Sequence, residues 1–339
     1  MSRILTVERV GEIASRQFPI RFGADYIPSI LATREEAPAI SRPAIRYSSR
    51  LGRDFHALSV PELRAIVLAI HHPRVFDVQE NYAYNHGPGT HPLASHPLGC
   101  ALQLPSTQGT LAIADQFGAL SLHPRARLTE DEAVAAEQDV PAAQDEAPEQ
   151  GDASDWDPAF YIGDLLVYIT DEQGPYVLDW DIKQRKGQHG QPGPGTLAKR
   201  HSRRAKTSAT VRDVVTHAYD AELNIRQVRV AAEEIDDDVA ANLFQLLGWH
   251  HCRLDRTPTE SAELEQAFSA SMRIGVSPIS LLPAWTARGW TRQDFQAVLY
   301  QAIWERRIRV DLFRPVLINR PLKPEKRDVL EVYGSWFKR

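Results

Sequence analysis

The chain has 339 residues, 43% of them hydrophobic and 24% charged, with a net charge of −5, values typical of a globular protein with room for two domains. Its apolar runs are too short to span a membrane and no secretory signal is recognisable, so we expect a cytoplasmic protein with no membrane contact. Two cysteines, Cys100 and Cys252, are too few for a disulfide framework and fit a reducing compartment.

The charges are unevenly distributed along the chain. Residues 129–157 include eleven acidic residues and no Lys or Arg, whereas the rest of the chain has 39 basic and 33 acidic residues. We predict a flexible acidic insertion at about 125–157 and a basic linker containing Gly and Pro at about 184–208. The mildly basic remainder favours a partner with a phosphate backbone, although charge blocks of this kind are more often solvated segments.

The first clear element in chain order is a helix that begins after Ser59. Ser59 is a typical N-cap, Pro61 suits a first helical turn, and apolar residues at 63, 66, 67 and 70 follow a helical spacing. Glu62 can complete a capping box with Ser59, and spacing alone favours this structural role over metal binding. An extended segment at 75–84, a loop at 85–108 and a structured segment at 112–122 follow.

A β-hairpin with a Gly-containing turn is predicted at 164–183. Folding it symmetrically places Asp164 opposite Asp181. The residues at 165, 167, 169, 178, 180 and 182 then form an apolar face that must contact the core. Asp164, Asp179, Asp181 and Lys183 share the other face.

The pair formed by Asp164 and Asp181 is a candidate metal site. Two neighbouring carboxylates repel each other unless a cation lies between them, and Mg²⁺ is commonly bound by one or two carboxylates together with phosphate oxygens. Lys183 projects from the same face and can reach a scissile phosphate or the attacking water. Asp-x(n)-Asp/Glu-x-Lys on a hairpin is typical of restriction-type nucleases, but an ion pair on a solvated strand has the same residues.

Helices at 211–223 and 239–247, with a strand at 225–230 between them, are predicted after the basic linker. A second unit begins near Pro258, with helices at about 262–272, 279–288 and 291–306. Two short strands at 308–312 and 316–318 follow, and helices closed by a small hairpin predict a winged helix-turn-helix.

The expected fold class is therefore α/β. We predict a restriction-endonuclease-like mixed sheet flanked by helices at residues 1–255, and a winged-helix-like domain at 256–339 that contacts DNA or a partner.

Several motifs together resemble TnsA, the endonuclease subunit of heteromeric, Tn-seven-like transposons, which belongs to the PD-(D/E)xK superfamily. They keep their order over about residues 20–250, which makes the set specific although no single motif is. The acidic insertion and the loop at 85–108 lengthen the stretch between Glu62 and Asp164. The motifs are Asp25–Pro28, Arg46–Ser48, Gly52-Arg53, His56-x-Leu-Ser59, Glu62-Leu63, Val75-x-Asp77-x-x-Glu80, Ile113-Ala114, His123-Pro124, Ile162-x-Asp164, Asp181-Ile-Lys183 and residues 225–247.

The resemblance implies catalytic roles for Glu62, Asp164, Asp181 and Lys183. Glu62 falls on the family's catalytic glutamate, Asp164 on its metal-binding aspartate and Lys183 on its catalytic lysine, whereas Asp181 falls where a glutamine can occur. The expected metal-binding positions are Glu62, Asp164, Asp181 and Ile182, with Mg²⁺ as the cofactor and Mn²⁺ as a substitute. The expected DNA-binding residues are Arg185, Lys186, Lys199, Arg200, Arg203 and Arg204.

A TnsA-like protein would cut the 5′, non-transferred strands at the transposon ends in double-stranded DNA. Its partners would be a TnsB-like DDE transposase, which cuts and joins the 3′ ends, and a TnsC-like AAA+ ATPase regulator. Two alternatives stay open, a stand-alone restriction-type or resolvase-like nuclease, and a catalytically idle adaptor that bridges transposase, ATPase and DNA.

Overall fold

The computed structural model describes residues 6–39, 41–126, 157–189 and 203–339, with the backbone alone described for 203–206. The predicted acidic insertion and most of the predicted basic linker lie outside the described residues. The helices are α1 (Val7–Gln17), α2 (Val60–His71), α3 (Thr110–Gln116), α4 (Arg203–Glu222), α5 (Asp237–Trp249), α6 (Pro258–Ile274), α7 (Leu282–Thr286), α8 (Arg292–Trp304) and α9 (Val329–Val332). The strands are β1 (Ala44–Ser48), β2 (Arg53–Ala57), β3 (Val75–Glu80), β4 (Gly89–Thr90), β5 (Ser106–Thr107), β6 (Leu165–Asp171), β7 (Gly174–Lys183) and β8 (Arg226–Ala231).

The central element is a four-stranded mixed sheet with the strand order β3-β6-β7-β8. β6 is antiparallel to both of its neighbours, and β8 runs parallel to β7. A parallel neighbour needs a crossover connection, and α4 lies in the segment that joins these two strands. The structure is therefore of the mixed α/β class, as predicted.

The hairpin of β6 and β7 has the predicted register. Leu165 pairs with Trp180 and Asp171 with Gly174, so continuing the ladder by one residue places Asp164 opposite Asp181. The predicted apolar face is confirmed, because its six residues are buried in one cluster with α2 and α5. Each large apolar side chain buried in this way contributes roughly 1.5–3 kcal/mol to stability.

The other face of the hairpin is also covered, which the sequence analysis did not predict. Leu166, Tyr168 and Val177 pack in a second cluster with Val215 and Tyr219 of α4. The sheet is therefore a middle layer, and the end of the hairpin that carries Asp164, Asp181 and Lys183 borders an open cleft.

The helices predicted after residue 255 are confirmed, and their boundaries have local causes. Thr257 and Glu260 form a capping box at the start of α6, and Gly275 ends that helix with a left-handed φ of 75°. Thr291 caps α8 by accepting a hydrogen bond from the backbone N–H of Asp294.

The predicted winged helix is not observed in residues 256–339, all of which are described. Neither 308–312 nor 316–318 forms a strand, and the only pairing there is an isolated bridge between Val310 and Pro324. Residues 309–311 form backbone hydrogen bonds with residues 323–325 instead, and the side chain of Asn242 of α5 binds three backbone groups of residues 312–316. Its Nδ2 donates to Leu312 O and Arg314 O, both at 2.8 Å, and its Oδ1 accepts from the N–H of Val316 at 2.9 Å. These groups are therefore not available for a hairpin ladder.

The C-terminal residues pack directly on the central sheet. Trp180 of β7 donates from Nε1 to Trp336 O at 3.1 Å, and Tyr176 donates from its hydroxyl to Phe337 O at 2.6 Å. One apolar cluster includes α2, β7, α5, α6 and α8, and so extends across the boundary predicted at residue 255. Among the described residues, none of the helices combines the length and apolar character needed to cross a lipid bilayer.

Candidate active site in a cleft beside the mixed sheet

Three of the predicted site residues meet where β6 begins and β7 ends. The backbone N–H of Ile182 donates to Asp164 Oδ2 at 2.7 Å, which fixes that carboxylate across the hairpin. Lys183 donates from Nζ to Asp164 Oδ2 at 2.9 Å, to Ile182 O at 3.1 Å and also to Asp181 Oδ1. The ammonium group therefore lies between the two carboxylates.

The charges in this cluster stabilise one another. Burial by itself would lower the pKa of Lys183, but the carboxylates of Asp164 and Asp181 outweigh it and raise this pKa above its ordinary value. Burial by itself would raise the pKa of Asp181, but Lys183 and a hydrogen bond from His189 lower it to about 2. At neutral pH the cluster therefore contains a charged ammonium and an ionised Asp181.

Glu62 lies at the N-terminus of α2, within electrostatic reach of the cluster. Its carboxylate accepts from the N–H of Leu58 at 2.7 Å and from the Ser59 hydroxyl at 2.8 Å, and Ser59 Oγ accepts from the N–H of Glu62 at 3.3 Å. Ser59 therefore caps α2 as predicted, but the capping box is formed only in part, because Glu62 binds the N–H of Leu58 rather than that of Ser59. Burial, and then the charge of Asp164, raise the pKa of Glu62 to about 7.

His189 is part of the site, and the sequence analysis did not identify it. Its Nδ1 lies 2.7 Å from Asp181 Oδ2, and its Nε2 is buried without a hydrogen-bond partner. An ionised carboxylate only accepts hydrogen bonds, so Nδ1 is the donor. Asp181 is thus held by Lys183 on one oxygen and by His189 on the other. No sequence motif surrounds His189, which lies in the segment predicted as a linker.

Asp179 lies on the predicted face but is buried, unlike its neighbour Asp181. Its Oδ2 accepts from the Tyr84 hydroxyl at 2.5 Å and from Gln227 Nε2 at 3.4 Å. Burial raises the pKa of Asp179, and burial and then the charge of Asp179 raise the pKa of Asp220. Asp179 therefore borders the cleft from a buried position, with its carboxylate held by protein groups.

The oxygen atoms around Lys183 fit a hard divalent cation. Asp164 Oδ2, Asp181 Oδ1 and Ile182 O all accept from a single ammonium group, so they already surround one positive charge. Mg²⁺ commonly takes one or two protein carboxylates and completes its shell with water and phosphate oxygens. A metal ion and the Lys183 ammonium would compete for these oxygens.

The predicted participation of Glu62 in metal binding stays a prediction. Among the described residues there is no group of three or more His, Cys, Asp or Glu side chains that could hold a metal ion. The set of oxygens gathered at Lys183 is therefore limited to two carboxylates and one carbonyl group, and the oxygens of Glu62 bind the start of α2 instead.

The predicted DNA-binding residues are described only in part. Arg185 is exposed, whereas Lys186 forms a 2.8 Å ion pair with Glu234 and its backbone N–H donates to Glu233. Lys199 and Arg200 lie outside the described residues. Arg203 and Arg204 form the start of α4, and their side chains are not described.

An open cleft of about 470 Å³ connects these groups to solvent. The side chains of Asp164, Asp181 and Lys183 line it on the sheet side, and residues of α4, among them Arg212 and Thr216, line it on the other. Neither the known protein-family models nor the sequences of curated proteins give a significant match to this chain.

Proposed function

We propose that the chain is a Mg²⁺-dependent DNA endonuclease with a restriction-endonuclease-like catalytic region. The main support is the meeting of Asp164, Asp181 and Lys183 at the open end of one hairpin in a mixed sheet. The cleft is lined by four aspartates and two cationic side chains, a mixture that suits a divalent cation together with a phosphodiester. The aspartates are Asp164, Asp179, Asp181 and Asp213, and the cations are Lys183 and Arg212.

The residues of the cleft have separate roles in this proposal. Asp164 and Asp181 hold the cation, with Ile182 O as a further ligand and Glu62 as an additional carboxylate. Bound there, Mg²⁺, or Mn²⁺ in its place, would polarise the scissile phosphate and lower the pKa of a bound water. Lys183, whose pKa is raised by the two carboxylates and which is therefore charged at neutral pH, stabilises the negative charge that develops on the phosphate oxygens.

We further propose that this nuclease is the 5′-strand-cleaving subunit of a cut-and-paste transposase of the TnsA type. The support is the ordered set of TnsA-like motifs from Asp25 to Leu247, which includes all four proposed catalytic residues. The partners would be a TnsB-like DDE transposase and a TnsC-like AAA+ ATPase, acting on double-stranded transposon ends.

A plasmid-nicking assay with the purified full-length chain tests the nuclease proposal. In Mg²⁺ the wild-type chain should nick DNA, and Asp164→Ala, Asp181→Ala and Lys183→Ala should each lower the rate by roughly 100-fold or more, because each removes a charge from the site. Lys326→Ala is the matched control, since Lys326 is exposed and forms no ion pair in the described residues. Full nicking activity in Lys183→Ala would refute the assignment of the site.

The same assay, repeated with and without the partner transposase and on plasmids with and without transposon ends, tests the narrower proposal. For a transposase subunit we expect nicking to require both the partner transposase and transposon-end DNA. Nicking that requires neither of these would identify a stand-alone nuclease. If the chain shows no metal-dependent nicking even with the partner, end DNA and ATPase present, the nuclease proposal is wrong and the adaptor alternative replaces it.

A further inference from the structure

Arg212 lies in the candidate active site on the helix that faces the catalytic hairpin. It belongs to α4, and its side chain lines the same cleft as Asp164, Asp181 and Lys183. Ser208 and Thr216, one turn before and one turn after it, line the cleft as well. Positions separated by four residues share one face of a helix, so this face of α4 forms the wall opposite the hairpin.

Among the described residues, the guanidinium group of Arg212 has one hydrogen-bond partner. Its Nη2 donates to Ile162 O at 2.6 Å, which leaves most of its five N–H donors unused. In the described part of the chain no carboxylate oxygen lies within 4.0 Å of it. Two other arginines differ from Arg212 in this respect. Arg53 forms a two-bond ion pair with Glu80, and Arg306 forms one with Asp328.

The position of Arg212 is set by its bond to Ile162. Ile162 precedes Asp164 by two residues, so the same short segment holds both the guanidinium and the first carboxylate of the site. Burial lowers the pKa of Arg212, but the charges of Asp164, Tyr84 and Asp181 raise it overall. These groups act on Arg212 through space, without a direct ion pair in the described residues.

A partly buried cation without a direct counter-ion is costly unless a ligand supplies one. Guanidinium groups bind phosphate with two parallel hydrogen bonds, a geometry that an ammonium group cannot form. Asp213, the next residue of α4, also lines the cleft, but no ion pair joins it to Arg212 among the described residues. The N–H donors of Arg212 that Ile162 leaves unused are therefore available to an anionic ligand on the α4 side.

We propose that Arg212 binds the non-bridging oxygens of a DNA phosphate in the cleft, so that the scissile strand lies between α4 and the catalytic hairpin. This inference rests on the proposed nuclease function. It adds a phosphate-binding residue on a second wall of the site.

The test compares the full-length wild-type chain with Arg212→Gln and with the control Arg273→Gln. Arg273 is exposed in the last turn of α6 and forms no ion pair in the described residues. Binding of a short fluorescein-labelled duplex is measured in Ca²⁺ over a range of KCl concentrations, and nicking is measured in Mg²⁺. We expect Arg212→Gln to weaken binding about 10-fold and to reduce the slope of log K against log [KCl] by about 1, because one phosphate contact is lost. Arg273→Gln should change neither.

A purely structural role for Arg212, as a tie between α4 and Ile162, predicts a different outcome. The melting temperature of Arg212→Gln would then fall while the DNA affinity and the salt slope of the folded protein stay at the wild-type values, and this result would overturn the inference.

If Arg212→Gln does not fold, Arg212→Lys provides the test, since it keeps the charge but lacks the two-bond geometry. A loss of about 3-fold in affinity and 10-fold in nicking supports the inference, and wild-type values for both overturn it. A wild-type chain that neither binds nor nicks DNA refutes the proposed function itself, whatever the variants do.

Discussion

Asp181 is restrained on both of its carboxylate oxygens, by Lys183 on one side and by His189 on the other. A carboxylate with two fixed hydrogen bonds loses little freedom when it binds a cation, so such partners raise the affinity of a metal site. Lys183 also binds Asp164, whereas the imidazole of His189 forms its one hydrogen bond, among the described residues, with Asp181. His189 is therefore the residue whose loss affects Asp181 most selectively.

We expect His189→Ala to raise the Mg²⁺ concentration needed for half-maximal nicking by about 10-fold, because Asp181 loses the bond that orients it. His189→Asn should restore part of this loss, since its amide can donate in place of Nδ1. The measurement is a Mg²⁺ titration of the nicking rate. His217→Ala is the control, because His217 is exposed. An unchanged Mg²⁺ requirement in His189→Ala would show that Asp181 needs no such support.

At the scale of elements, α5 decides the conformation of the chain that follows α8. The side chain of Asn242 is 3% exposed, and its three described hydrogen bonds, two donated and one accepted, all join the backbone of residues 312–316. Pro315 lies in the middle of this segment and has no N–H to offer to a ladder. A side chain of one helix thus replaces the strand pairing that the alternating sequence predicts.

Asn242→Ala should lower the free energy of unfolding by about 2–4 kcal/mol, because it leaves two carbonyl groups and one N–H without partners. Chemical denaturation with urea measures the change. The same substitution at Asn319, which is exposed and lies three residues beyond this segment, should change the free energy of unfolding by less than about 0.5 kcal/mol. Equal effects at the two positions would mean that the three hydrogen bonds do not stabilise the segment.

At the scale of the whole molecule, the C-terminal residues complete the core of the sheet. The ring of Trp180 contacts those of Trp336 and Phe337, with centroid distances of 6.1 and 5.1 Å. Arg339 forms a two-bond ion pair with Asp171 at the hairpin turn. Removal of the C-terminal region would expose Trp180, which is otherwise 0% exposed.

A chain of residues 1–255 should therefore fail to unfold cooperatively and should bind a hydrophobic dye, because one apolar cluster spans both regions. Co-expression of residues 1–255 with residues 256–339 is the control, and the two fragments should associate and recover the cooperative transition. Calorimetry and dye fluorescence measure both outcomes. A sharp thermal transition in residues 1–255 alone, at the temperature of the full chain, would show that the two predicted regions fold independently.

The local sequence was sufficient to predict the hairpin, its register and the first cap. Strand residues alternate between two faces, and a short turn determines which residues are opposite each other, so Asp164 and Asp181 could be paired without any tertiary information. Ser59 and Glu62 are three residues apart in one helical turn, and their contact depends on that spacing alone. The position of Lys183 on the same face as Asp181 is predicted by the same alternation. The catalytic roles of these residues stay predictions.

Contacts between residues far apart in the chain were decided only by the tertiary structure. The burial of Asp179 depends on Tyr84 and Gln227, which reach it from other elements, and no local pattern distinguishes it from Asp181. Arg212 enters the cleft because α4 packs across the sheet, and the expected wing is absent because Asn242 binds its backbone. Local periodicity determines which face a side chain is on. What covers that face depends on the packing of distant segments, which a single sequence does not specify.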